Sequence, residues 1–185
     1  MESRKTRAGS VRRARRELYA RLAAAYRGWA MRRNRQDPAS VVQRARTLVR
    51  RKRYCLVVTA DPQPAARVVE PFPPDEHGRI VFGTDPDSRK VAQIRSTGRC
   101  LLVYQDDRRR ACVTLECDAE VLSPEQSTRF RAIWRAFWPE GLGRDFVNVV
   151  CTPTAVELWD GLGVVAPEPF GRAQARVPLG PELKL

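Results

Sequence analysis

Short runs rich in β-branched and aromatic residues, separated by turn residues, predict a mainly β member of the α+β class: a small antiparallel sheet or barrel of six to seven strands with flanking helices. A second observation adds a basic helical extension, because the apolar residues before Tyr54 recur at helical spacing with arginine filling much of the space between. Length is the third. At 185 residues, 43% hydrophobic and 30% charged, the chain suffices for one well-buried domain with extensions and leaves little room for two cores. No stretch approaches the roughly 18 uninterrupted apolar residues of a membrane-spanning helix. The 8% aromatic content is that of an ordinary globule, so membrane-spanning and disordered classes are set aside.

The formal charge of +13 divides unevenly. Met1–Arg53 holds 18 Lys+Arg against 3 Asp+Glu, a balance of +15, while the remaining 132 residues hold 16 basic and 18 acidic side chains, a balance of −2. Residues 1–37 are thus expected to form a basic arm, 38–160 the domain and 161–185 a Pro/Gly-rich tail. In the arm, Val11, Ala14, Leu18, Leu22, Ala25, Tyr26 and Trp29 form a helical stripe from Val11 to Met31, and Arg12, Arg13, Arg16, Arg27, Arg32 and Arg33 fill much of the rest. Such a helix can contact RNA, an acidic protein surface or an anionic membrane surface, act as an organellar import signal, or pack its stripe on its own domain. Sparse serine weighs against an import signal.

Asp37 as N-cap and Pro38 in the first turn open a second helix. Val41, Val42, Ala45, Leu48 and Val49 give it one apolar face, and it ends near Arg51. The run Arg50–Arg53 suits either the negative end of the helix dipole or a phosphate. Strands are then expected at Tyr54–Ala60, Ala65–Glu70, Ile80–Thr84, Cys100–Tyr104, Ala111–Val121, Phe146–Cys151 and Ala155–Trp159. Asp61–Pro64, Asp75–Gly78 and Asp106–Arg110 supply turns. Two helices interrupt the strands. One covers Ser88–Ser96; the other is opened by Ser123-Pro124-Glu125-Gln126, a capping-box pattern, with Phe130, Ile133, Trp134 and Phe137 as its buried face. After Trp159 the tail is expected to be extended and to wrap a neighbour.

Cys55, Cys100, Cys112, Cys117 and Cys151 are an odd set without a C-x-x-C pair, and four of them lie in strand-like surroundings. They read as buried thiols in a reducing intracellular compartment. Cys112 and Cys117, five apart, fall on opposite faces of a regular strand, which disfavours a shared metal.

The strongest site signal runs from Phe82 to Ile94. A strand ends at Thr84, a turn puts Ser88 at a helix start, and Arg89 and Lys90 occupy its first turn. Free backbone N–H groups, a hydroxyl and two cations then converge on a place suited to a phosphate. The plainer alternative is a serine cap followed by two solvated bases. Cations in a first helical turn oppose the dipole, however, and need a compensating reason.

The order Arg67-Val68-Val69, then Phe-x-Thr-x-x-x-Ser-Arg-Lys-x-x-Gln-Ile, then Leu101–Tyr104, a long strand, Ser-Pro-Glu-Gln and a helix with Trp134 resembles pyridoxamine 5′-phosphate oxidase-like flavoproteins. The resemblance covers about Pro38 to Asp160. It implies an FMN-binding split barrel, a homodimer with two flavins at the interface. Arg67, Val68, Val69 and Glu70 would lie beside the flavin, Gly83 and Thr84 would line the same cleft, and Ser88, Arg89 and Lys90 would hold the phosphate.

The chain also departs from that pattern. Phe72 stands where true pyridoxamine phosphate oxidases place a substrate-gripping lysine, Ala111 or Cys112 where they place a flavin-contacting glutamine, and Cys117 where they place a glycine. Their C-terminal Arg-x-His element is absent. The resemblance is therefore to the general-stress type of relative rather than to a vitamin B6 oxidase, and no catalytic residue is assigned. FMN is the cofactor implied, ahead of haem or another flavin-like group, since the single histidine, His77, sits in a polar turn. Two functions follow: an FMN-dependent oxidoreductase acting on an unidentified small molecule, or a degenerate barrel serving as accessory subunit of a large assembly, held by its basic arm. The cytoplasm and the mitochondrial matrix both fit.

Overall fold

The computed structural model describes residues 2–161, 165 and 172–185, with side chains from Arg12 onward, and they fall into two compact units, Met1–Arg35 and Gln36–Leu185. The first unit is one helix, α1 (Glu2–Arg33). Within it the guanidiniums of Arg15 and Arg33 lie over the rings of Tyr19 and Trp29, 5.6 and 5.2 Å from their centroids. Leu18 and Leu22 of the expected stripe are exposed, as is Tyr19. No described helix is long and apolar enough to cross a membrane.

The second unit opens with α2 (Pro38–Arg51), whose Asp37 cap accepts a 2.8 Å bond from the Ser40 N–H. Its five apolar residues are all buried, as their i, i+1, i+4, i+7, i+8 spacing requires. Seven strands follow: β1 (Cys55–Ala60), β2 (Pro64–Val69), β3 (Ile80–Thr84), β4 (Arg99–Asp106), β5 (Ala111–Val121), β6 (Val147–Asp160) and β7 (Ala175–Pro178). They pair antiparallel in the order β2-β1-β4-β5-β6-β3, with β7 also on β6. Past β2 the chain reaches β3, where the Phe72 N–H donates to the Val81 carbonyl at 2.7 Å, linking the two ends of that order. One helix, α3 (Arg89–Thr97), lies between β3 and β4 and ends in a left-handed Gly98. Alternate residues of each strand, among them Val57, Leu102, Val113 and Leu115, meet the apolar face of α2 in one core.

Three sequence expectations change. Phe146–Cys151 and Ala155–Trp159 belong to one strand, because the irregularity around Pro153 is a bulge in the β5–β6 ladder and not a break. Proline, which cannot donate to a ladder, is tolerated at such a place. The Ser123–Gln126 capping box forms, with reciprocal bonds of 3.1 and 3.3 Å, yet no α-helix propagates from it. Ser127 is instead tied to the Asn148 N–H at 2.8 Å, and Asn148 binds the backbone of Arg129 through both its amide oxygen and nitrogen. Only a short 3₁₀ turn, Ala132–Ala136, follows. Phe130 and Trp134 still pack inward, whereas Ile133 and Phe137 are 63% and 75% exposed. The described part of the tail returns to its own body: β7 pairs with β6, Leu179 donates to the Thr154 carbonyl, and Leu185 is buried. Residues 162–164 and 166–171 of the tail lie outside the described residues.

An aromatic cluster covers the β3 side. Trp134 lies within 6.5 Å, centroid to centroid, of Phe72, Phe130, Trp138 and Phe146. Gly83 makes room for it, since a Cβ there would stand 2.4 Å from the Phe146 ring and 2.8 Å from the Trp134 ring. The Trp134 indole N–H donates to Glu70 Oε2 at 2.9 Å, and Arg53 binds Oε1 at 2.8 Å. Arg131 Nε stands 3.5 Å from the same Oε1. Burial alone would raise the Glu70 pKa, but the indole and the two guanidiniums outweigh it and hold the carboxyl below its usual range.

Gly83→Ala is expected to destabilise the chain by about 1–3 kcal/mol through overpacking, read as a lowered denaturation midpoint. Phe146→Leu in the same chain should recover part of that loss. Because Glu70 titrates lower in the folded chain than in the unfolded one, it adds stability above the ordinary carboxylate range and loses that contribution as pH falls through its folded value. The melting temperatures of wild type and Glu70→Gln should therefore differ most near neutral pH and converge toward about pH 3; a pH-independent gap would contradict the assignment.

Candidate functional site

Three elements bring polar groups together beside the N-terminus of α3. β1 and β2 form a hairpin in which Val57 stands opposite Arg67, so the arginine lies two register positions from the inward-facing Thr59, on the same face. Arg67 donates from Nη1 to Thr59 Oγ1 at 2.9 Å and to the Ala65 carbonyl at 3.2 Å, and from Nη2 to Gln93 Oε1 at 3.3 Å. The Thr59 hydroxyl donates to the same Gln93 oxygen at 2.7 Å. Gln93 Nε2 reaches the Asp61 and Gln63 carbonyls, 3.2 and 3.4 Å away. Thr59 and Gln93 are buried, so this network has full hydrogen-bonding weight. It pins the guanidinium of β2 to α3.

The strand-to-helix connection supplies the rest. Asp85 turns the chain after β3, accepting from the Asp87 N–H at 2.7 Å on its side chain and from the Ser88 N–H at 3.2 Å on its carbonyl. Ser88 occupies the N-cap position of α3 with extended backbone, but its side chain makes no capping bond. Its Oγ is buried and has no hydrogen-bond partner. Lys90 is half-buried, and its pKa is lowered, first by burial and then by the charge of Arg67, with Asp85 offsetting part of this. Two cations are thus held together at the positive end of a helix whose first N–H groups have no intrahelical acceptor. The arrangement is electrostatically unfavourable until an anion joins it, and a phosphate would give the Ser88 hydroxyl its missing partner.

The expected site residues therefore divide. Arg67 and Lys90 feel each other's charge, and Ser88 stands at the N-cap two residues before Lys90. Arg89 precedes Lys90 in α3 and is exposed. Val68 points outward, 67% exposed, and Val69 inward. Thr84 is buried at the end of β3 opposite Val147. Glu70 and Gly83 belong with the aromatic cluster, where Trp134 touches both positions. Sequence reasoning did not single out Thr59, or assign a role to Gln93, although Gln93 is the glutamine of the Ser-Arg-Lys-x-x-Gln run and so carried a signal. Arg129 and Arg131 had none: their guanidiniums lie 5.5 and 4.5 Å from the centroid of Phe72, the residue standing in the lysine position. His77 lies in an exposed turn, its N–H bonded to Asp75.

A family model described as pyridoxamine 5′-phosphate oxidase matches residues 41–160. Solved structures share the fold. A protein from Clostridium acetobutylicum related to general stress protein 26 of B. subtilis, of the pyridoxinephosphate oxidase family, superposes with a TM-score of 0.61 at 15% identity, over 76% of this chain and 96% of that one. General stress protein 26 from Bacillus anthracis gives 0.53 at 16% identity, over 63% and 92% of the two chains. A pyridoxamine 5′-phosphate oxidase-related, FMN-binding protein from Nostoc punctiforme gives 0.50 at 18% identity, over 77% and 94%. No curated protein matches the sequence. With the family model covering β1 through β6 and the α3 site within it, the chain belongs to the pyridoxamine 5′-phosphate oxidase family.

Proposed function

We propose that this protein binds FMN at the N-terminus of α3 and acts as an oxidoreductase on a small molecule. The observation that carries the reading is the unpartnered, buried Ser88 Oγ at the N-cap of α3, whose first turn holds Lys90 within reach of the Arg67 charge. In this reading the Ser88 hydroxyl and the first N–H groups of α3 donate to the phosphate, and Arg67 and Lys90 neutralise its charge. The Thr59–Gln93 pair keeps Arg67 in place. Backbone groups of Val68–Glu70 and the Gly83–Thr84 segment border the ring. When bound, FMN supplies hydride and single-electron transfer, while the protein orients and shields it. Oxidation of vitamin B6 phosphates is not part of the proposal, because Phe72 replaces the substrate-binding lysine and the Arg-x-His element is missing. The functional unit is a homodimer joined through the barrel.

Titrating purified protein with FMN while following flavin fluorescence should give saturable quenching. Arg89→Ala with Lys90→Ala should weaken it at least tenfold, given about 1.5–3 kcal/mol for a hydrogen bond to a charged group. Equally weak binding by both proteins would reject the site.

The arm favours a second, compatible role. It is a unit of its own, carrying exposed Leu18, Tyr19 and Leu22 among arginines, and in this role it attaches the module to an anionic partner within a larger assembly of a reducing compartment. In a gentle lysate the full chain is then expected to migrate with a large complex and the chain lacking residues 1–34 to migrate as a small dimer; identical migration of both would exclude attachment through the arm.

A further inference from the structure

Three of the five thiols gather at one place in the barrel. β4 and β5 put Cys100 directly opposite Cys117, and Cys151 of β6 approaches with its Sγ 3.6 Å from that of Cys100. Cys100 and Cys117 also line a cavity of about 750 Å³ whose other walls include Thr59, Leu101 and Thr154. The FMN reading uses neither thiol. All three are buried in the core, Cys100 and Cys117 keeping 5% and 3% of their surface and Cys151 none.

We propose that Cys100 and Cys117 are an oxidisable dithiol bordering this cavity, with a hydroperoxide as the oxidant. A small, uncharged hydroperoxide can enter this cavity, whose walls join apolar and hydroxyl groups with Arg99, Glu116 and Asp118. The Cys151 sulfur lies 3.6 Å from that of Cys100, and neighbouring S–H groups lower the Cys100 pKa, while the Cys117 thiol donates to the Leu115 carbonyl at 3.7 Å. Cys100, opposite Cys117 on the adjacent strand and in sulfur contact with Cys151, is assigned as the sulfur that attacks. Its thiolate displaces water from the peroxide O–O bond, with one proton taken up, and becomes a sulfenic acid. The Cys117 thiol then attacks that sulfur, the S–O bond breaks, a second water leaves, and a disulfide remains. Two electrons from the two thiols reduce one peroxide bond.

Geometry selects Cys117 over the nearer Cys151 as the second partner. Residues directly opposite on adjacent antiparallel strands have Cα atoms about 4.5–5.5 Å apart, within the range of a disulfide. β4 and β6 flank β5 on its two sides, so Cys100 and Cys151 are two strand spacings apart, about 9.5 Å in a flat sheet, beyond the roughly 7 Å that a disulfide spans.

The test uses the intact wild-type chain. After treatment with hydrogen peroxide, removal of the oxidant and alkylation, intact mass and peptide mapping should show loss of two hydrogens, a Cys100–Cys117 cross-linked peptide, and Cys151 alkylated on denaturation. Cys117→Ser should leave a dimedone-reactive sulfenic acid on Cys100, and Cys151→Ser should still form the disulfide. Oxidation confined to the half-buried Cys112, a Cys100–Cys151 link, or five free thiols after treatment would each overturn the proposal. The wild-type map alone decides if a variant does not fold.

Discussion

The 14-residue strand β6 is the constraint on which the rest of the body depends. One of its edges carries β5 throughout, in a ladder from Ala111–Asp160 to Val121–Val149. Its other edge is shared, with β3 on Val147–Cys151 and β7 on Ala155–Leu158. Between those two partners lies the bulge at Pro153–Thr154, where Cys117 faces Pro153 and Glu116 faces Ala155. A bulge bends a strand and increases its twist. It lets one β-strand turn from the β3 wall to the β7 wall while keeping its inward residues, Val149, Cys151, Val156 and Leu158, in a single core.

The position of β3 follows from that pairing, and the candidate site follows from β3. Where β3 ends, Asp85 turns the chain into α3, and the buried Thr59–Gln93–Arg67 network fastens the helix to the β1–β2 hairpin. Like charges on Arg67 and Lys90 are held close because neutral partners, and not carboxylates, position the guanidinium. A carboxylate there would cancel the charge on which the proposed anion binding depends. Elsewhere the chain does use one: Glu70 takes Arg53, Arg131 and the Trp134 indole, which ties the end of β2 to the aromatic cluster over Gly83. Arg67 within β2 and Glu70 just past its end thus serve unlike purposes, Arg67 leaving positive charge available and Glu70 consuming it.

Most of the fold was legible in the sequence where the signal is local. The helix opened by Asp37-Pro38, the strands Ile80–Thr84 and Ala111–Val121, and the Ser88 helix start rest on caps, turns and periodicity that act within a few residues. The placement of Ser88 and Lys90 at a helix start was legible for the same reason, because a strand, a turn and a helix start are adjacent in the chain, whereas Arg67 reaches α3 only through Thr59 and Gln93. What was not legible depends on partners far away in sequence. The Ser123 capping box is intact, yet Asn148, reached only through β6, captures Ser127 and the Arg129 backbone and ends the helix after one turn. The tail's return to β6 depends on the free edge that the bulge leaves at Ala155–Leu158.

The sequence by itself determined the division into a cationic helix and a nearly neutral β-rich body, most of the element order, and the Ser88-Arg89-Lys90 start of α3. Tertiary structure alone decided that Gly83 is a seat for Phe146 and Trp134, that Phe72 lies under Arg129 and Arg131, and that Cys100, Cys117 and Cys151 meet. The physical reason is range. Caps, turns and charge runs are energetic preferences of a few consecutive residues, whereas contacts between β4, β5 and β6 exist only once a bulged strand has curved the sheet and brought inward-facing side chains from separate strands to the same point.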